Sequence, residues 1–413
     1  MIKLPAPTQV LQPLVFFYAA LSIVYWLFIL APGIGDEGLM SLYLSEGNKE
    51  GYYWLIQKGN FSLPYSLLVY PLSFIFPSYF ALRILSLAGI LFLYFYLIRR
   101  LDFKTQNFKN HILFYLFSGS FLLGTNDNLL FCLLTIFFTE VYLVLIKQQE
   151  RIPLYALICM ITSLFTRQMA IIYLPIILAG LILVYQQKGI LRKEYLATLS
   201  TALVWFVLNI PSIQANGFIS FDNKDTNQQM GMTWAQRQYL SQLDFNAGKL
   251  TEFTHVTWED TFNYVQENGE TSLPKTNMES ILFDPVLTIQ EFIKDLAYMV
   301  YSGFRQCGLG VFFPILGIWY FLKFGNRELG YLGGAQLFTM LVIALMIISY
   351  IEIRWLAPVF IMGIIGIESV NRSGKASTFL DFSNQLILFV LGVYGSWRYI
   401  NLILEKQTFL SSI

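Results

Sequence analysis

Histidine and cysteine are scarce in this 413-residue chain, which holds 2 His and 3 Cys. His111 and His255 fall on opposite predicted sides of the bundle, which argues against a histidine-based metal centre and a Ser/His/Asp nucleophile. Cys132, Cys159 and Cys307 sit in or beside apolar blocks without metal-ligand spacing, and they read as small buried hydrophobes. There is no GxxxxGK[ST] loop and no GxGxxG after a strand, so the usual nucleotide-binding signatures are missing. Charged residues make up only 13% of the chain, its net charge of +1 is uninformative, and no nucleic-acid partner is expected. No repeat of 20–50 residues is visible, and Met1 to Gln12 lacks the basic region and small-residue cleavage site of a secretory signal.

Apolar residues are abundant instead, at 56%, and they gather into blocks of helix-spanning length without the alternation of barrel strands. The expected fold is an all-α polytopic membrane protein of about eleven spans. The blocks run over Leu14–Ala31, Phe80–Ile98, Ile112–Gly124, Leu129–Ile146, Leu154–Phe165, Met169–Tyr185, Tyr195–Ile213, Leu309–Leu322, Leu332–Tyr350, Trp355–Ile367 and Leu386–Tyr399. Lys and Arg collect in one set of connections: Arg99, Arg100, Lys104, Lys109, Lys147, Arg151, Lys188, Arg192, Lys193, Lys323, Arg327, Arg372 and Lys375. By the positive-inside rule that side is cytoplasmic, the N-terminus starts there and the C-terminus ends outside. The whole chain, 1–413, reads as one transmembrane domain.

The opposite side carries two long loops, 32–79 and 214–306, and Asn216–Ile293 holds eleven acidic residues against four basic ones. Helical patterns over Thr233–Leu243 and Pro285–Tyr301 predict amphipathic helices there, forming a small folded layer on the membrane.

Four charged clusters lie at the outer ends of spans. Asp36 and Glu37 follow a Gly-rich exit from the first span; they read as a solvated acidic turn or as a general base at the membrane surface. Asp127, in Thr125-Asn126-Asp127-Asn128, suits a helix cap or a second acid group. Arg167, followed by Gln168, is costly at that depth unless it is paired, faces water or snorkels to the headgroups. Glu352, Arg354 and Trp355 form the last cluster, where Arg354 suits a bidentate phosphate contact, Glu352 can simply pair with it, and Trp355 suits an interface anchor. A divalent metal is compatible with these carboxylates, although nothing demands one.

The order of these elements resembles the GT-C class of membrane glycosyltransferases, which use polyprenyl-phosphate sugar donors at a lumenal or periplasmic site. Asp36-Glu37 resembles the acidic pair that opens the first external loop of that class. Asp127-Asn128-Leu129 is similar to the Asp after the third span in the branch with protein O-mannosyltransferases and lipid A aminoarabinose transferases. Phe165-Thr166-Arg167-Gln168 is similar to the Arg-Gln element of the dolichol-linked alpha-1,2-glucosyltransferases. Glu352–Pro358 resembles an Arg-Tyr-x-x-x-Pro pattern with Trp355 in place of Tyr, and Phe80–Ser86, with Arg83, looks like the class's second span. The Pro-rich element of the glucosyltransferases is reduced here to Ser62-Leu63-Pro64-Tyr65-Ser66, and the His-rich external repeats of the mannosyltransferases are missing.

The resemblance implies an inverting hexosyltransferase whose donor is a polyprenyl-phosphate sugar and whose acceptor is a glycan, lipid or protein hydroxyl. It implies Asp36, Glu37 and Asp127 as catalytic residues, and Arg83, Arg167, Gln168, Glu352, Arg354 and Trp355 as substrate-binding ones. The active site would face the periplasm or the endoplasmic reticulum lumen, under a capping loop formed by 214–306. The competing readings are a lipid-linked sugar transporter or flippase, marked by midplane charges and repeats, and an inactive membrane partner with the same fold.

Overall fold

In a computed structural model 81% of the described residues are helical, and no strand occurs among them. These are 7–33, 35–103, 105–187, 189–190, 192–221, 230–250, 254–346, 351–372 and 378–411. Ile34, Lys104, Lys188, Lys375 and the last four residues of the Leu332–Tyr350 block lie outside them. The chain divides into two compact units.

The first unit comprises 1–222, 303–336 and 354–413. It contains α1 (Pro7–Val24), α2 (Asp36–Glu50), α3 (Tyr52–Gln57), α4 (Leu63–Val69), α5 (Ser78–Leu101), α6 (Gln106–Ser118), α7 (Asn126–Leu145), α8 (Leu154–Leu164), α9 (Ala170–Gln186), α10 (Arg192–Leu208) and α11 (Ile210–Asn216). The second unit holds α12 (Trp234–Asn246), α13 (Trp258–Asn268), α14 (Asn277–Phe283) and most of α15 (Pro285–Cys307). Then come α16 (Phe313–Phe324), α17 (Arg327–Leu345), α18 (Ala357–Arg372) and α19 (Thr378–Ser411).

Among the described residues seven helical segments are long and apolar enough to cross a membrane, not eleven: Val10–Ile29, Ser78–Leu101, Asn126–Leu145, Pro285–Phe324, Arg327–Leu345, Ile353–Arg372 and Phe379–Lys406. An eighth is obtained if α10 and α11, bent by 49° at a break beside Asn209 and Pro211, count as one span. The other expected spans fail on length. At 1.5 Å per residue, α8 with 11 residues and α6 with 13 fall well short of the roughly 30 Å hydrocarbon layer. The apolar run of α6 has a different cause, because Phe108 and every residue from Asn110 to Phe117 is buried inside the bundle. Hydropathy alone does not separate a helix wrapped by protein from one wrapped by lipid.

The same distinction organises the unit. Nine-tenths of the apolar windows of α7 and α18 are buried, and these two helices pack on each other with α5, α8 and α9 around α7. Helices α5, α10 and α19 instead expose large apolar side chains, among them Phe92 and Phe95, Leu199 and Leu203, and Val390 and Trp397. Exposed apolar faces of this extent are those of helices that meet lipid. The 32–79 segment is largely helical: α2, α3 and α4 close over Met40, Leu44, Leu55, Phe61, Tyr65 and Val69 against Ala81 and Leu82 of α5.

In the second unit the helices expected over Thr233–Leu243 and Pro285–Tyr301 are α12 and α15. Capping boxes start α12 at Thr233/Gln236 and α13 at Thr257/Asp260, which satisfies the first backbone N–H groups of each. A small core of Met232, Tyr239, Leu240, Val256, Val265, Leu273 and Leu287 joins them.

Candidate active site

Helix α1 ends in one π-helical turn, Tyr25–Ile29, and the chain reverses through Gly33 and Gly35 at φ 84° and 58°, values that an L side chain resists. A Cβ on Gly38 would stand 2.5 Å from the Gly33 carbonyl oxygen, so this tight entry into α2 requires glycine. It sets Asp36 and Glu37 in the first turn of α2, where the partial positive charge of a helix N-terminus favours carboxylates.

The two neighbours then diverge. Glu37 is fully buried and meets Arg83 of α5 in a fork: Nε donates to Oε1 at 2.8 Å and Nη2 to Oε2 at 2.6 Å. Arg83, also fully buried, donates further to the carbonyls of Leu30 at 2.9 Å and Ala31 at 3.0 Å. The Gly124 N–H donates to Glu37 Oε1 at 2.9 Å. This pair ties the end of α1, the start of α2, α5 and the approach to α7 into one junction. With both oxygens of Glu37 and three of the Arg83 nitrogens engaged, the pair positions its surroundings.

Asp36 joins a second cluster. Asp127 stands in the first turn of α7, Arg167 in the turn between α8 and α9, and Arg354 in the short 3₁₀ turn Ile353–Leu356 before α18. Asp127 Oδ1 is 2.5 Å from Arg167 Nη1, and its Oδ2 is 2.8 Å from Arg354 Nε. Asp36 Oδ2 accepts from Arg354 Nη2 at 3.2 Å and lies 3.8 Å from Arg167 Nη2. Two carboxylates and two guanidiniums thus cancel in formal charge, which is how a poorly solvated site tolerates four ions. The side chains of Asp127, Arg167 and Arg354 are only 5–6% exposed, whereas that of Asp36 is 19% exposed. Asp36 is therefore the carboxylate of this cluster that an incoming molecule reaches first.

Neighbouring polar groups fix the arginines. Arg167 Nη1 also donates to Asn126 Oδ1 at 3.2 Å, and Asn126 Nδ2 donates to the Thr166 carbonyl at 3.2 Å. The Tyr173 hydroxyl donates to the Trp355 carbonyl, which anchors the turn that carries Arg354. The Trp355 indole N–H is buried and has no hydrogen-bond partner among the described residues. A cation placed between Asp36 and Asp127 would compete with both guanidiniums for the same oxygens.

The structure thus brings Asp36, Asp127, Arg167 and Arg354 together, and sets Glu37 and Arg83 in an adjoining buried pair. Gln168 is exposed beside the cluster, and Glu352 belongs to the second unit. Reading by charge did not reach Asn126, Gly124 and Tyr173 as supports. Only Asn126 carried a signal, since a polar residue flanking a buried Asp invites a hydrogen bond. No protein-family model, curated protein or solved structure matches this chain.

Proposed function

We propose that this protein is a membrane glycosyltransferase that moves a sugar from a polyprenyl-phosphate donor to an acceptor hydroxyl on the external face. The observation that carries the reading is the convergence of Asp36 and Asp127 on Arg167 and Arg354 at the ends of apolar helices. A phosphate ester in a poorly solvated pocket calls for guanidinium forks, and two of them stand here beside a carboxylate that remains partly accessible.

Under this reading the donor phosphate binds Arg354 and Arg167 in place of part of their contact with Asp36. Asp36, released from that contact, accepts the proton of the acceptor hydroxyl, and the acceptor oxygen bonds the anomeric carbon. The bond from that carbon to the phosphate oxygen breaks in the same displacement, so the configuration inverts. The electron pair leaves on the polyprenyl phosphate, whose charge the two arginines hold. Asp127 keeps both guanidiniums oriented and places negative charge near the sugar ring as positive charge develops on it. Glu37 and Arg83 position Asp36 through the rigid start of α2. Under this reading the Arg99–Arg100 end of α5 is cytoplasmic and this cluster external, which the Lys/Arg-rich connections support through the positive-inside rule.

The test is transfer from a panel of radiolabelled polyprenyl-phosphate sugars by the purified full-length chain, with native membrane extract as acceptor. Wild type should transfer one of the sugars, and Asp36→Asn should lose about 10²-fold or more. Binding of a polyprenyl phosphate without transfer by wild type would replace the enzyme reading with that of a carrier or inactive partner.

A further inference from the structure

A cavity of about 820 Å³ runs along α5, bounded by α7 and by parts of α4 and α8. Its walls are apolar over most of their length, with Leu85, Phe92, Leu129 and Ile136 among them. From Leu85 to Arg100 the α5 wall rises fifteen steps of 1.5 Å, about 22 Å, a large part of the hydrocarbon layer. One end closes at Tyr65 and Asn128, beside Asp127. The other end is different in character, being formed by Tyr96, Arg99, Arg100 and Tyr155.

That far end is a built structure. Glu140, fully buried on α7, accepts from Arg100 Nε at 2.7 Å and Nη2 at 2.9 Å, from the Tyr96 and Tyr155 hydroxyls at 2.5 Å each, and from Gln149 Nε2 at 2.8 Å. These bonds lock the two tyrosines and Arg100 in place around the cavity mouth, and the Arg100 side chain stays 38% exposed. Arg99 is exposed and has no ion pair or hydrogen bond among the described residues. Counting Arg99, Arg100 and Glu140, the mouth carries a net charge of +1.

We infer that this slot is the binding site of one anionic phospholipid, with its phosphate on Arg99 and the free Nη1 edge of Arg100 and an acyl chain along α5 toward Asn128. An apolar slot with a cationic mouth between membrane helices has the chemistry of an anionic-headgroup site. A zwitterionic lipid gains less from a net positive mouth. The tail of a donor whose phosphate sits on Arg167 and Arg354 is apolar throughout and makes no use of Arg99. The inference goes beyond the proposed transferase activity and stands without it, since its readout is lipid retention.

The test is native mass spectrometry of the full-length protein after detergent delipidation and titration with phosphatidylglycerol, phosphatidylcholine or polyprenyl phosphate. Wild type should retain one phosphatidylglycerol with about fivefold or greater preference over phosphatidylcholine. Arg99→Gln should lose that preference with an unchanged melting midpoint, because Arg99 is exposed and makes no ion pair or hydrogen bond among the described residues. Ala88→Trp, which grows a side chain into the slot, should lose the retained lipid whatever its headgroup. Equal retention of the two phospholipids by wild type, an unaltered preference in Arg99→Gln, or retention of polyprenyl phosphate in place of phosphatidylglycerol would overturn the assignment.

Discussion

Replacing Glu37 by Gln removes one charge at nearly constant volume from the buried pair with Arg83. Breaking a buried ion pair by deleting one partner typically costs about 3–5 kcal/mol, because the other charge stays desolvated and uncompensated. The amide oxygen of Gln still accepts one hydrogen bond, so the lower end applies, about 3 kcal/mol, or roughly a 10²-fold shift toward unfolding. An ordinary pair would be rescued by turning both partners apolar. This one should not be, because Arg83 and Glu37 also satisfy the carbonyls of Leu30 and Ala31 and the N–H of Gly124. In Glu37→Leu/Arg83→Met the buried Gly124 N–H loses its partner at about 1–3 kcal/mol, and the part-buried bonds to the Leu30 and Ala31 carbonyls are lost as well. The double variant should therefore be no more stable than Glu37→Gln. The assay is thermal unfolding of the purified chain in one detergent, followed by tryptophan fluorescence, with Asp36→Asn as control. Asp36→Asn leaves Asp127 to hold both arginines and should shift the midpoint far less. A Glu37→Gln midpoint equal to that of wild type, or a double variant restored to it, would refute the view of this pair as a junction.

Arg354→Lys keeps the charge but replaces a guanidinium that reaches both Asp36 and Asp127 with a single ammonium; donor KM in the transfer assay should rise by about tenfold or more. Gly124→Ala would set a Cβ 2.4 Å from Leu82 Cβ and 2.9 Å from Glu37 Oε1, so folded yield by size-exclusion chromatography should fall sharply, whereas Gly334→Ala, with open space around its Cβ, should express normally. Thr257→Ala removes the cap of α13 and should weaken that helix by about 1 kcal/mol, read as faster amide exchange over Trp258–Asn268. Hydrogen bonds from the Thr257 side chain and N–H hold the Asp260 carboxyl below its usual range. Because the folded value is the lower one, this contribution is complete above the unfolded carboxylate pKa and disappears as pH falls through the folded value, so α13 protection factors, taken against the intrinsic exchange rate at each pH, should fall on acidification in wild type and change less in Thr257→Ala.

Much of this molecule was legible in its sequence because the bilayer and the helix impose strong rules. Every one of the eleven apolar blocks lies mostly in helix over its described residues, and the helices expected over Thr233–Leu243 and Pro285–Tyr301 are present. The charges at Asp36, Asp127, Arg167 and Arg354 stood out for the same reason: an ion beside an apolar run needs a partner. The span count was not legible, because α6 is apolar on account of the protein packed around it and α8, which leaves Leu154, Tyr155 and Ile158 exposed, is too short to cross, and composition does not report which solvent a side chain meets.

The sequence alone determined that the chain is helical and apolar enough for a membrane, and which few ions its helix ends must accommodate. Only the tertiary structure decided how those ions pair. Asp36 and Glu37 are chain neighbours with similar side chains, yet successive residues on a helix point about 100° apart. That rotation sends Glu37 inward to Arg83, where it is sealed, and leaves Asp36 on the accessible side with Arg354 and Arg167.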